Sequence, residues 1–400
     1  MRLGPTLIVA GVVTGLAATG ASAAAWTRAR PPGSARLVGS VATLPTVPAP
    51  PPPPTATTAH AARPVTTTTT APPDPISSRA PAEIITPPGQ DVANPFVLVE
   101  PDRYWLYSSN GPAASVWTGL IALANVPVRT STDLRHWQVA ADALPALPDW
   151  AQPGATWAPD VRKVAPGRYV LYFTARVRGV RPDTECIGVG TSTVAWGPFA
   201  PAPAPLVCQL DHHGSIDARA VGLGTGPGGS AGADAAPAVL VWKADDNANP
   251  QLGARGYTSI WSQPLTPDGT RLTGLATRIL VPYGPAQARI VEAPQLIRDQ
   301  AGRWWLLASG GWYNQSTYHM FWAQCATPQG SCFDTGIPWL RSNAQGTGPG
   351  EGSLFVDRDG TTYLVYSPHN VSGRRATPRP VAMARVAFGP DGPYFGALPR

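Results

Sequence analysis

The chain has 400 residues and a formal net charge of +6, long enough for a large buried core alongside segments of another type. Arg2, Arg28, Arg30, Arg36, Arg63 and Arg79, set against Asp74 and Glu83, put four of the six net charges before residue 85. The remainder is close to neutral, which excludes the basic surface that nucleic acid demands, so no nucleic-acid partner is expected.

Residues 1–25 read as an export signal: Arg2 gives a positive start, Leu7 to Leu16 is apolar, and Ala21-Ser22-Ala23 offers small residues for cleavage. The apolar stretch, extended over residues 7–26, also approaches the roughly 20 residues of a membrane span. A cleaved signal peptide and a membrane anchor therefore both stay open, and either places the rest of the chain outside the cytoplasm, secreted or held at the cell membrane. Residues 26–84 form a Pro/Thr-rich linker. Pro48 to Pro54 is almost all proline and Thr66 to Thr70 all threonine, with too little apolar content to offset the entropy of ordering. The prolines favour an extended spacer, and the threonines suit O-glycosylation. None of the four cysteines forms a CxxC pair, so zinc is not expected. Their spacing predicts two local disulfides, Cys186–Cys208 and Cys325–Cys332, consistent with an oxidising compartment.

Residues 85–400 carry a repeat. Five short apolar-aromatic runs recur every 60–70 residues: Arg103–Tyr107, Arg168–Tyr172, Val239–Trp242, Arg303–Leu307 and Thr362–Tyr366. Turn signals such as Pro166-Gly167, Ala301-Gly302 and Asp359-Gly360 precede most of them, and their residue types are those of strands. A second element comes before each run: Asn94–Leu98, Trp157–Val161, Ser215–Arg219, Glu292–Leu296 and Glu351–Phe355. The third unit is longer because of the Gly/Ala-rich insert Gly224–Ala236. Long amphipathic helical patterns are absent. This periodicity predicts an all-β, five-bladed β-propeller of four-stranded blades. The innermost strands of a propeller start at one end of its central channel, so one polar residue per blade is expected to converge on an axial pocket.

These motifs resemble glycoside hydrolase family 43, over roughly residues 88–390. Trp157-Ala158-Pro159-Asp160-Val161 is similar to the motif carrying that family's pKa-modulating aspartate, and Glu292-Ala293-Pro294 to the one carrying its general acid. Ser131-Thr132-Asp133-Leu134-Arg135-His136-Trp137, Trp196-Gly197-Pro198-Phe199 and Val241-Trp242-Lys243-Ala244-Asp245 add to the resemblance. It implies inverting hydrolysis of arabinofuranosyl- or xylosyl-containing polysaccharide by a monomeric chain that requires no cofactor. Two carboxyls ~6.5–9.5 Å apart would flank the sugar and leave room for a water. Glu292 would protonate the departing oxygen, for which its pKa must be raised, and Asp160 would raise it by charge repulsion.

Two departures matter. The family's base is the aspartate of an Asp-Pro pair in the first blade, where this chain has Asn94-Pro95. Asp91 lies three residues earlier and, by strand alternation, points to the opposite face unless the segment is bulged. Asp217 is the other candidate carboxylate. In the fifth blade, Gly348-Pro349-Gly350 is followed by Glu351, leaving a central calcium without the family's usual histidine. His212 and His213 precede the third-blade motif and read as pocket or loop histidines. Trp157 and Trp312 are candidate sugar platforms, with Asp217 as a further substrate ligand. Three functions compete: a glycosidase, a carbohydrate-binding propeller that has lost its base at Asn94, and an envelope scaffold, which has no need of paired acids.

Overall fold

The computed structural model describes residues 82–86, 91–110, 124–180, 183–224, 238–248, 256–334, 336–343, 346–369 and 379–396. The expected export segment, almost all of the expected linker and the core of the Gly/Ala-rich insert lie outside them. The described chain folds into five antiparallel sheets, each built from strands consecutive in sequence except the last. The first sheet is β2 (Phe96–Val99), β3 (Tyr104–Tyr107), β4 (Pro127–Ser131) and β5 (Gln138–Asp142). The second is β6 (Ala151–Ala165), β7 (Arg168–Val177), β8 (Glu185–Ser192) and β9 (Ala200–Pro201). The third is β10 (Ser215–Val221), β11 (Val239–Ala244), β12 (Ser259–Pro264) and β13 (Thr277–Leu280). The fourth is β14 (Val291–Arg298), β15 (Trp304–Gly310), β16 (His319–Cys325) and β17 (Cys332–Asp334). The fifth joins β18 (Thr347–Val356), β19 (Thr362–His369) and β20 (Ala382–Gly389), with β1 (Ala82–Ile84) and β21 (Gly392–Gly396) both pairing with β20. The ring is thus closed by residues that the sequence reading gave to the linker: Ala82–Ile84 pair with Ala384–Ala382.

Neighbouring first strands pack side by side in a closed circuit, β2 on β6, β6 on β10, β10 on β14, β14 on β18 and β18 on β2. This is the inner wall of a five-bladed propeller. Its core is divided into five apolar clusters, one at each blade seam. The second strands explain why their runs are apolar without alternation. In β3, Trp105 and Tyr107 pack against the second blade while Tyr104 and Leu106 pack against the fifth. In β15, Trp304 and Leu306 face the third blade, and Trp305 and Leu307 the fifth. A strand buried on both faces needs apolar residues at every position, each contributing roughly 1.5–3 kcal/mol when fully buried. Both disulfides are present, Cys186–Cys208 and Cys325–Cys332, with Cα separations of 4.7 and 3.9 Å.

Candidate active site

Each blade carries, within its inner strand or just before it, one non-glycine residue in the left-handed region: Asn94 (φ 48°), Ala158 (46°), Asp217 (58°), Ala293 (48°) and Glu351 (55°). Such residues are uncommon and cost of order 1–3 kcal/mol each, so they persist only where the surroundings hold them. The ladder register shifts at this point in blades two to five, so the chain bulges here.

Cross-blade hydrogen bonds hold the bulges. The second strands place Ser109, Thr174, Lys243, Ser309 and Ser367 opposite the residue preceding each bulge. Ser109 Oγ accepts the Ala158 N–H at 2.9 Å, Thr174 Oγ1 that of Asp217 at 3.3 Å, and Ser309 Oγ that of Glu351 at 3.0 Å. An ammonium cannot accept a hydrogen bond, so in the third blade, where Lys243 stands, Asp217 Oδ2 accepts the Ala293 N–H instead, at 3.0 Å. In the fifth blade the Ser367 hydroxyl donates to Val92 O, and Glu351 Oε2 accepts the Asn94 N–H at 3.4 Å. The two acidic bulge residues thus supply the acceptor themselves, in the blade whose second strand carries Lys243 and in the blade whose Ser367 hydroxyl is turned to Val92.

The charged residues gather on one side of this ring. Glu292, immediately before the fourth bulge, accepts the Tyr318 hydroxyl on Oε1 at 2.6 Å, and its Oε2 lies 2.8 Å from Lys243 Nζ. Lys243 also pairs with Asp245 at 2.9 Å. Burial alone would lower its pKa, but Asp245, Glu292 and Asp217 hold it above the usual lysine range. Asp217 is pushed up to about 7, first by burial and then by the charge of Glu292. Two carboxylates so close cannot both ionise freely, and their titration belongs to the pair. Burial also raises Glu351, with Arg379 opposing and Glu292 adding to the rise.

The structure brings Glu292, Asp217 and Asn94 to the ring and leaves Asp160 out of it. Asp160 is 0% exposed, with Arg162 on both oxygens at 2.8 and 2.9 Å, the Ala220 N–H at 2.9 Å and Arg219 Nη1 at 3.6 Å. It stands two residues beyond the bulge at Ala158, roughly 6–7 Å further along the strand. The same offset yields Phe96, Arg219, Gln295 and Ser353 in the other blades, a second layer beneath the first. Both guanidiniums of the Asp160 cluster sit over the Phe96 ring, at 5.0 and 5.1 Å from its centroid. The carboxylate raised by the Glu292 charge is Asp217, whereas Asp160 is held by Arg162 and Arg219. Asp160→Asn would leave Arg219, 3% exposed, without its buried counter-charge. We expect a loss of about 3–5 kcal/mol in denaturant unfolding, with turnover by the folded protein within a few-fold of wild type; a large loss of turnover in fully folded protein would contradict this placement.

Asp91 is tied to Arg379, which donates from its backbone N–H at 3.0 Å and from Nε at 2.9 Å. Asn94 Oδ1 accepts the Ser109 hydroxyl at 2.7 Å. Trp157 is half-buried under the Arg176 guanidinium, 5.8 Å from the ring centroid, whereas Trp312 is 41% exposed. His212 pairs with Asp246 at 3.0 Å. His213 is buried and neither ring nitrogen has a hydrogen-bond partner among the described residues. Among the same residues there is no group of three or more His, Cys, Asp or Glu placed to hold a metal ion. Sequence reasoning assigned no role to Lys243, Tyr318 or Arg379, and gave Glu351 only a place among the polar residues expected at the pocket. Lys243, one of only two lysines in the chain, could have been found by aligning the second strands on the polar residue that closes each run.

The sequence profile described as glycosyl hydrolases family 43 matches residues 88–394. The chain belongs to that family. Family-43 members are glycosidases, and solved structures similar to this chain share its fold at low identity. A thermostable family-43 glycoside hydrolase is 20% identical, with a TM-score of 0.61 over 77% of this chain and 94% of its own. An endo-1,4-β-xylanase from Bacteroides thetaiotaomicron is 20% identical, with a TM-score of 0.60 over 77% and 95%. An α-L-arabinofuranosidase from Lactobacillus brevis is 18% identical, with a TM-score of 0.59 over 77% and 95%. No curated protein matches the chain.

Proposed function

We propose that this family-43 chain is an exported inverting glycosidase acting on arabinofuranosyl- or xylosyl-containing polysaccharide. The observation that carries the reading is the Asp217–Glu292 pair beside the channel, with Glu292 gripped by Lys243 and Tyr318. Glu292 delivers a proton to the glycosidic oxygen as the C–O bond breaks. Asp217 acts through it, opposing double ionisation so that the pair keeps a proton near neutral pH. Lys243 and Tyr318 fix the direction in which the carboxyl points. The xylanase and arabinofuranosidase named among the structural neighbours support the substrate class, and the exposed Trp312 face offers a stacking contact to a sugar. Export is supported by the two disulfides, which persist in oxidising compartments, and by the N-terminal signal pattern, with the Pro/Thr-rich segment as spacer.

Proton NMR of freshly cleaved arabino- and xylo-oligosaccharides tests this. The expected first product carries the anomeric configuration opposite to the substrate. A retained configuration would overturn inversion. Calorimetric binding of the oligosaccharides without any cleavage would replace the enzyme by a carbohydrate-binding propeller, the reading that Asn94 at the base position favours.

A further inference from the structure

The first blade offers an amide, not a carboxylate, where water must be deprotonated, and the Asn94 oxygen already accepts the Ser109 hydroxyl. The next carboxylate around the ring is Glu351, at the matching bulge of the fifth blade, directly across the seam from Asn94. Of the acids near the channel, Asp160 is enclosed by two arginines and a backbone N–H, and Asp91 is clamped by Arg379. Asp217 is committed to Glu292 and to the Ala293 N–H. Glu351 is differently placed. Both its contacts fall on Oε2, the Asn94 N–H at 3.4 Å and Arg379 Nη1 at 3.5 Å, and Oε1 has no hydrogen bond among the described residues. Its neighbour Arg379 is engaged at closer range by Asp91.

Resting on the glycosidase reading above, we propose that Glu351 is the catalytic base of this chain, its Oε1 taking the proton of the attacking water beside Asn94. In the step, the water oxygen bonds to the anomeric carbon as its proton passes to Glu351. The glycosidic C–O bond breaks, and its electron pair takes the proton from Glu292. The base has moved one blade around the ring, and Asn94, held by its own N–H on Glu351, orients the water. Burial suits Glu351 to the role, because a carboxylate raised toward neutrality is a better base than an exposed one.

The test compares wild type, Glu351→Gln, Asp217→Asn and the double variant Asn94→Asp/Glu351→Gln on 4-nitrophenyl β-xyloside and 4-nitrophenyl α-L-arabinofuranoside, with and without azide. Gln keeps an acceptor for the Asn94 N–H, so the fold should survive; thermal unfolding checks that it does. Glu351→Gln should lose about 10²–10⁴-fold in kcat/KM. Azide needs no deprotonation, so it should restore turnover and leave a glycosyl azide of inverted configuration. The double variant returns a carboxylate to the first blade and should recover at least about tenfold over Glu351→Gln. A merely structural Glu351 would give neither rescue. Glu351→Gln within about threefold of an active wild type, a loss that azide does not relieve, or inverted azide formed by Asp217→Asn instead, overturns the inference alone. A wild type inert on both substrates and on arabino- and xylo-oligosaccharides overturns it together with the glycosidase reading.

Discussion

Glu292→Gln is expected to lower turnover of unactivated arabino- or xylo-oligosaccharides by about 10²–10⁴-fold, the usual share of a positioned proton donor. The change removes the carboxyl proton and turns the oxygen that faces Lys243 at 2.8 Å into an amide NH2. The Gln amide oxygen can still accept the Tyr318 hydroxyl, and Lys243 keeps Asp245 at 2.9 Å, so no buried cation is stranded. Protonation matters in proportion to the basicity of the leaving oxygen. Aryl glycosides with acidic phenols leave almost unaided and should lose no more than about tenfold. The measurement is kcat/KM for a series of aryl glycosides of graded phenol pKa, alongside an oligosaccharide: the variant should show a steep dependence where the wild type is shallow. Parallel lines for the two proteins would remove Glu292 from the donor role, even if both rates fell.

The architecture was legible because the fivefold repeat has a physical cause that leaves a mark. Every second strand is buried between two blades, so Tyr104–Tyr107 and Trp304–Leu307 read as unbroken apolar runs. The closing strand Ala82–Ile84 was not legible: three residues at the end of a Pro/Thr-rich segment carry too short a pattern, and the pairing with Ala382–Ala384 spans almost the whole propeller. Within the site, the place of Glu292 beside a strand start followed from its motif, but the carboxylate that its charge acts on is Asp217, and Asp160 lies among arginines instead. Strand alternation suggests that acids at similar motif positions share a layer. The bulges at Ala158 and Asp217 decide otherwise, since they put Asp217 on the rim and Asp160 two residues below, and no glycine marks either. Lys243 was hidden by an aromatic. Aligning Trp242 with Tyr172 is natural by size, yet Trp242 faces the second blade and Val241 the fourth, so the run is offset by one residue and Lys243, not its neighbour, takes the polar position. Asp91 depended on Arg379, 288 residues away in sequence, a pairing that no local pattern encodes.

The offset between the two acid layers has a consequence for stability that Asp217→Asn should expose. In the folded chain Asp217 is pushed up from 3.8 to about 7 by burial and by Glu292, whereas in the unfolded chain it titrates near its ordinary value. Well below 3.8, at about pH 2.5, both states carry the proton, and Asp217 imposes no penalty. As the pH rises from about 4 to 7 the unfolded chain ionises first, so stability falls; above 7 the penalty is complete, on the order of 2–4 kcal/mol. Asn cannot ionise, and its amide oxygen can still accept the Ala293 N–H. The variant should therefore match wild type in urea unfolding at about pH 2.5 and exceed it by that amount at pH 9. Glu185, raised to about 8 by burial and by Asp245, loses stability in the same direction, so the variant's profile will still slope between pH 5 and 9. The gain in stability should come with a loss of function: kcat/KM on oligosaccharides should drop on the order of 10²-fold, and its alkaline limb should move to lower pH, because without the Asp217 charge the site gives up its proton more readily. Asp217→Asn that is less stable than wild type at pH 9, or active with an unmoved alkaline limb, would show that the two carboxyls do not share a proton. A more stable, poorly active variant would show that the chain keeps a strained, like-charged pair at the channel mouth because the reaction uses it.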